Sequence, residues 1–235
     1  MDNSRLLSLK NLSVWYTPHN PILSDFSLEL NTNEVVGLIG LNGAGKTTFL
    51  KVLSGLLDTF RLEEASWKGQ TFSFCDNEFK KNRYTVFAED HSFQYFTFRE
   101  YLSYVISSYG ESLRDPAPLI RGFHFEEYTD VLLRELSTGN RKKAYLITSF
   151  VLHPALLLLD EPVNGLDFQS TEFLYHLMEE YPRYGTILFS SHILESICLT
   201  SDRVAVLEQG KISRTFTGGE IDSKTIREVL ADDDT

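Results

Sequence analysis

Between Glu34 and Leu57 the chain passes from a short apolar stretch, EVVGLI, through Gly40-Leu41-Asn42-Gly43-Ala44-Gly45-Lys46-Thr47-Thr48, into Phe49, Leu50, Leu53, Leu56 and Leu57 at helical spacing. That order predicts a buried strand ending at Ile39, a glycine-rich turn, and a helix over Thr47 to Leu57. Gly40, Gly43 and Gly45, with Asn42 and Ala44 between them, let successive backbone N–H groups turn inward onto phosphate oxygens. The helix that starts there adds the positive end of its dipole. Lys46 can reach the β- and γ-phosphates, Thr47 can ligate Mg²⁺, and Thr48 can contact the α-phosphate. A plain strand-to-helix turn would need all these residue types to coincide. The stretch reads as a Walker A phosphate loop, hence a nucleotide site.

The second constraint is Leu156-Leu157-Leu158-Leu159-Asp160-Glu161. Parallel sheets bind ligands at the carboxyl ends of their strands, so a buried strand ending in two acids delivers a carboxylate beside the phosphates. In that setting Asp160 would hold Mg²⁺ through water, and Glu161 would orient or deprotonate an attacking water. Taken alone, the same pattern is an ordinary strand end or helix start; the phosphate loop selects the functional reading.

The rest of the chain is organised around these two pieces. Leu7 to Tyr16 and Ile22 to Leu30 alternate as two antiparallel strands, and further strands are expected at Thr71 to Phe74 and Tyr84 to Phe87. Helical character runs from about Phe98 through Phe150, broken at Asp115-Pro116-Ala117-Pro118. Then come a strand at Leu156 to Leu159, a helix at Gln169 to Glu180, a strand at Thr186 to Ser190, and a hairpin of Arg203–Glu208 with Lys211–Phe216 turning at Gln209-Gly210. Strands alternating with helices mean an α/β fold, here a phosphate-loop NTPase core with a mostly parallel sheet. Added to it are an N-terminal antiparallel β part and an inserted helical part. The chain is expected to be a single domain, with core and β part over about 1–90 and 151–220 and the helical insert over about 91–150.

Composition narrows the class further. Two cysteines, Cys75 and Cys198, are too few for a disulfide scaffold or a four-ligand zinc site. The longest apolar run, Ala155 to Leu159, stops far short of the ~20 residues that span a bilayer. Met1 to Arg5 is polar and of mixed charge, unlike an export leader, so the expected compartment is the cytosol. With 22 Lys+Arg against 33 Asp+Glu, a net charge of -11 argues against nucleic acid as a partner. Part of that acid lies in Ala231 to Thr235, which reads as a frayed tail.

Three further segments carry a resemblance. Leu136-Ser137-Thr138-Gly139-Asn140 resembles the LSGGQ signature of the ATP-binding cassette (ABC) family, Asn164-Gly165-Leu166-Asp167 its D-loop, and Ser190-Ser191-His192 its switch-histidine segment. Each has a plain alternative: Ser137 as an ordinary helix cap, His192 as a surface histidine at a strand end, and Tyr16, which matches the aromatic that stacks on adenine, as a core tyrosine. In this order, from Tyr16 to about Phe216, the chain looks like the ATP-binding subunit of an ABC transporter.

The resemblance implies an ABC ATPase fold, ATP with Mg²⁺, and catalysis by Glu161, His192 and Lys46. It also implies a second ATP-binding subunit arranged head to tail, so that Ser137, Thr138, Gly139 and Asn140 of one copy meet the nucleotide of the other. Both sites look complete in two identical copies, which favours a homodimer. Cargo specificity would then reside in a separately encoded transmembrane permease, with the chain held on the inner face of the cell membrane.

Departures from the family pattern are Thr138 for glycine, Asn140 for glutamine, and Glu89 where a Q-loop glutamine is usual, Gln94 lying five residues on. Glu89 resembles the E-loop of bacitracin-resistance and lantibiotic-immunity subunits. It could still ligate Mg²⁺, and it tilts the expected direction toward export. The competing reading is a soluble ABC ATPase of the translation or DNA-repair type. Translation members usually carry two cassettes and repair members a long coiled coil, whereas one phosphate loop and no sustained heptads are found here. A nucleotide sensor without turnover would be expected to lack Glu161 or His192, and both residues are present.

Overall fold

The computed structural model describes residues 4–18, 20–111 and 114–231. Of the tail expected to fray, Ala231 ends a helix and residues 232–235 lie outside the described residues. In chain order the elements are β1 (Arg5–Thr17), β2 (Asn20–Asn31), β3 (Val35–Ile39), α1 (Lys46–Leu53), β4 (Phe60–Arg61), β5 (Glu64–Trp67), β6 (Gln70–Thr71), α2 (Asn77–Asn82), β7 (Arg83–Val86) and α3 (Phe98–Tyr109). They continue with α4 (Ala117–Gly122), α5 (Thr138–Leu152), β8 (Leu156–Asp160), α6 (Phe168–Glu180), β9 (Thr186–Ser191), α7 (Leu194–Thr200), β10 (Arg203–Glu208), β11 (Lys211–Thr217) and α8 (Ser223–Ala231).

Among the described residues the strands form two sheets. One runs β2-β1-β5-β6, with β4 also on β1, and is antiparallel. The other runs β11-β10-β3-β9-β8-β7; all its pairings are parallel except β10–β11. The parallel strands read as unbroken apolar runs because both faces are covered. Side chains alternate across a strand, so Val36, Leu38, Leu156, Leu158 and Leu188 pack with α1 and the antiparallel sheet. Val35, Ile39, Leu157, Leu159, Ile187 and Phe189 pack with the helical lobe. This two-faced burial aligns the carboxyl ends of β3, β7, β8 and β9 along one rim of the sheet.

Several elements differ from the sequence reading, each for a local reason. The helix expected through Leu57 ends at Leu53: Ser54 donates its hydroxyl to the Leu50 carbonyl at 2.7 Å, and Gly55 turns left-handed, leaving Leu56 exposed. The strand expected over Thr71 to Phe74 is cut to two residues, because the Asp76 carboxylate accepts from the Ser73 amide at 2.7 Å and closes a turn. That turn folds Phe72 and Phe74 against Trp67 and Phe79.

In the middle region, α3 is framed by a Thr97–Glu100 capping box and a left-handed Gly110. From His124 to Glu135 the backbone makes only two short 3₁₀ turns, so the helical character is interrupted there. The sequence reading had no counterpart for β4, β5, α2, α7 or α8.

Candidate functional site

The phosphate loop leaves β3 and enters α1 with Gly43 and Gly45 at φ of 85° and 110°, a conformation that L side chains strain to adopt. The site is also tight: a Cβ at Gly45 would meet the Leu23 side chain at 2.6 Å and force it to shift. Lys46 is buried and donates from Nζ to the carbonyls of Gly40 at 2.7 Å and Leu41 at 3.1 Å, which centres its charge inside the loop. Burial lowers its pKa, and the carboxylates of Glu161 and Asp160 pull it partly back. An open cleft of about 560 Å³ is lined by Asn42, Gly43, Gly45, Lys46, Thr47 and Thr48 with Ile22, Glu161, Asn164 and His192. Gly40 and Ala44 belong to the turn without lining the cleft.

Behind Lys46 stands the acid at the end of β8. Asp160 is 2% exposed and accepts from the Thr47 hydroxyl at 2.9 and 3.1 Å and from the Ser190 hydroxyl at 2.7 Å. Register explains the meeting, because Asp160 pairs with Ser190 across β8 and β9. Among the described residues, no cluster of three His, Cys, Asp or Glu side chains makes a ready cage for a metal ion. A hydroxyl and one carboxylate, both hard oxygen donors beside a phosphate cradle, do suit Mg²⁺, which keeps several waters and shares substrate phosphates. Glu89, near the start of the loop after β7, lines a neighbouring cleft with Thr47, Lys51 and Asp160. Gln94 does not line that cleft; its carbonyl accepts from the Arg134 amide at 3.1 Å.

Glu161 follows at φ 46°, a left-handed backbone in a residue with a Cβ and no small polar side chain to favour it. Such a conformation costs on the order of 1–3 kcal/mol and persists only where surroundings hold it. Its amide donates to the carbonyl and the hydroxyl of Ser190, and its Oε2 lies 2.8 Å from His192 Nδ1. Tyr16 is 52% exposed, so it is not a core residue; its hydroxyl lies 3.3 Å from the Thr48 hydroxyl, at the edge of the phosphate loop.

The segment 137–140 sits elsewhere. The Ser137 hydroxyl caps α5 by accepting from the Asn140 amide at 3.2 Å. Ser137 and Thr138 are exposed, and none of Ser137, Thr138, Gly139 or Asn140 lines the phosphate-loop cleft of its own chain. Thr138 instead faces Glu89 across a small cavity of about 150 Å³. Gly139 approaches Gly165 so closely that a Cβ would meet the Gly165 carbonyl at 2.4 Å.

Sequence reasoning assigned no role to the next lysines. Lys142 Nζ donates to the carbonyls of Glu161 and Asn164, and Lys143 Nζ to the Asp167 carboxylate at 2.6 Å and the Phe123 carbonyl at 3.0 Å. The Lys143 contact holds the Asp167 carboxyl well below the usual carboxylate range. Both follow Arg141 in a basic run at the polar start of α5, which gives no sign in sequence of either contact.

A phosphate cradle, a buried acid at the end of β8, one strand removed from β3 in the parallel sheet, and a paired Glu–His define a nucleoside triphosphatase of the phosphate-loop class. The chain belongs to the ABC transporter family, whose ATP-binding domains bind and hydrolyse ATP: the family model described as "ABC transporter" matches residues 23–164. It is 37% identical over 227 residues to the putative ABC transporter ATP-binding protein AlbC of Bacillus subtilis (strain 168), covering 92% of this chain and 93% of that protein. It is 32% identical over 222 residues to the ABC-type transporter ATP-binding protein EcsA of the same organism, covering 92% and 89%. A solved structure described as the ATP binding subunit of an ABC transporter superposes with a TM-score of 0.87 at 27% identity, covering 98% of this chain and all of that one. The fold is that of the ABC ATPases.

Proposed function

We propose that this chain is the ATP-hydrolysing subunit that drives a separately encoded membrane permease, in the direction of export. The whole of 1–235 is read as a single ATP-binding domain: core and β part over about 1–90 and 151–220, with a helical insert over about 91–150. The observation that carries the reading is the split of the site. Lys46, Thr47, Thr48, Glu161 and His192 share one cleft backed by Asp160, whereas the Ser137 to Asn140 segment is presented away from it. An ATP in the cleft is then completed by the Ser137 segment of a second copy, a homodimer with two equivalent sites.

In that assembly Tyr16 stacks on adenine, and Gly40 to Thr48 with Lys46 hold the phosphates. Glu161 orients the attacking water, and His192 and Lys46 meet the charge that develops on the γ-phosphate. Thr47 and Asp160, with Glu89 alongside, would hold Mg²⁺; when bound, it neutralises phosphate charge. Closure of the two copies on ATP, and reopening after hydrolysis, moves the helical lobes.

Among the described residues no helix is long and apolar enough to cross a membrane, so the permease is assigned to another polypeptide. Its docking surface is placed on the groove of about 450 Å³ lined by Leu56, Phe87, Phe93, Tyr101 and Tyr104, on the inner face of the membrane. Export is supported by Glu89 at the Q-loop position. AlbC and EcsA are themselves described as transporter ATP-binding proteins. The test is affinity purification of the tagged chain from gently solubilised native membranes, with mass spectrometry of what accompanies it. A multi-span membrane protein recovered reproducibly is the expected result. Recovery of ribosomes or soluble partners alone would replace the transporter reading with that of a soluble ABC ATPase.

A further inference from the structure

The strained backbone at Glu161 has one conspicuous support. Glu161, Pro162, Val163 and Asn164 form a turn closed by the Asn164 amide donating to the Glu161 carbonyl at 3.2 Å. Both the first and the last carbonyl of that turn point at one atom, Lys142 Nζ, each at 2.8 Å. Lys142 is 4% exposed and belongs to the second turn of α5, the helix that Ser137 caps. Two good acceptors in a buried place account for the site of a lysine there. They also mean that rotating the Glu161 carbonyl away would cost a buried ammonium one of its two acceptors.

We propose that Lys142 is a positioning residue for catalysis: it holds the left-handed backbone of Glu161, and so aims the Glu161 carboxylate, while tying it to the helix that presents Ser137. The inference rests on the reading of Glu161 as the residue that orients water. Its consequence is specific to this wiring. A shift of α5 caused by a nucleotide at Ser137 is carried within the same chain to Glu161 through one side chain, and the close contact of Gly139 with Gly165 keeps the two segments moving as a unit. Lys143 anchors the far end of the same stretch at Asp167, outside the cleft lined by the phosphate loop and Glu161.

The experiment is a double-mutant cycle on the full-length chain, reading steady-state ATP turnover and equilibrium ATP affinity. Lys142→Met keeps the length and loses both hydrogen bonds; it should lower kcat by at least about tenfold with KM and ATP affinity changed by less than about threefold. Lys142→Arg, which can still donate to both carbonyls, should restore most of the rate. In the Glu161→Gln background, Lys142→Met should cost no further rate, because there is no catalytic carboxylate left to aim.

A wild-type kcat in Lys142→Met beside a slow Glu161→Gln would overturn this inference alone, as would losses that simply multiply in the double variant. Wild-type turnover in Glu161→Gln would overturn both this inference and the role of Glu161. Should Lys142→Met fail to fold, Lys142→Ala, which also removes the donor and leaves room for water to meet the two carbonyls, is read in the same way.

Discussion

Glu161 Oε2 and His192 Nδ1 lie 2.8 Å apart at the ends of neighbouring parallel strands, facing the same cleft as Lys46. The pairing orients the imidazole and leaves its other nitrogen free to face phosphate. His192→Ala should therefore lower ATP turnover by about a hundredfold while leaving ATP affinity near wild type. Phosphate release at saturating ATP, measured beside equilibrium binding, checks both halves.

Tyr16 offers a ring half open to solvent beside Thr48, and its hydroxyl contact there is long, at 3.3 Å. If the ring supplies a stacking face, Tyr16→Phe should bind ATP like the wild type. Tyr16→Ala should lose about 1–3 kcal/mol of affinity, the usual worth of a base on an aromatic ring. Titration with a fluorescent ATP analogue separates the two; equal losses in both variants would assign the effect to the hydroxyl.

Alanine for glycine inside a helix normally gains stability, up to about 1 kcal/mol. At Gly139 the sign should reverse, because the added Cβ would sit 2.4 Å from the Gly165 carbonyl, and backbone does not give way cheaply. Overpacking of this kind costs about 1–3 kcal/mol. Gly139→Ala should melt several degrees lower than the wild type, about 2–4 °C for each kcal/mol in a chain of this size.

Asp167 predicts a pH dependence with a definite sign. Its carboxyl is held below the ordinary 3.8 by the Lys143 ammonium first and the Ser170 amide second. A depressed carboxylate pKa stabilises the fold fully above the unfolded value, and that contribution drains away as pH falls below it. Asp167 is about half exposed, so solvent screening limits the ion pair to at most about 1 kcal/mol. Denaturant melts should show Asp167→Asn less stable than the wild type at about pH 7, the gap narrowing as pH falls below about 4 and closing only below the depressed native value of the carboxyl.

Much of this was legible in the chain because the chemistry needs particular residue types next to one another. The phosphate loop and the strand that ends in the acid are each an unbroken stretch of sequence, and the parallel strands announce themselves as short apolar runs. What stayed hidden depends on partners far along the chain. The end of α1 is set by Ser54 and Gly55 against an apolar spacing that runs on to Leu57. Strands β4 and β5 exist because β1 offers them an edge. Lys142 looks like any helix-surface lysine until the turn at Glu161 is folded over it, and Ser190 gives no sign in sequence that its hydroxyl meets Asp160.

In the proposed function Glu161 serves hydrolysis alone, while ATP itself holds two copies together. Purified Glu161→Gln, incubated with ATP and Mg²⁺, tests it by phosphate release and by molecular mass in solution. The expected result is turnover at least about a hundredfold below wild type, retained ATP binding, and accumulation of a dimer that dissociates when ATP is removed. Near-wild-type turnover, or a monomer with ATP bound, would contradict it.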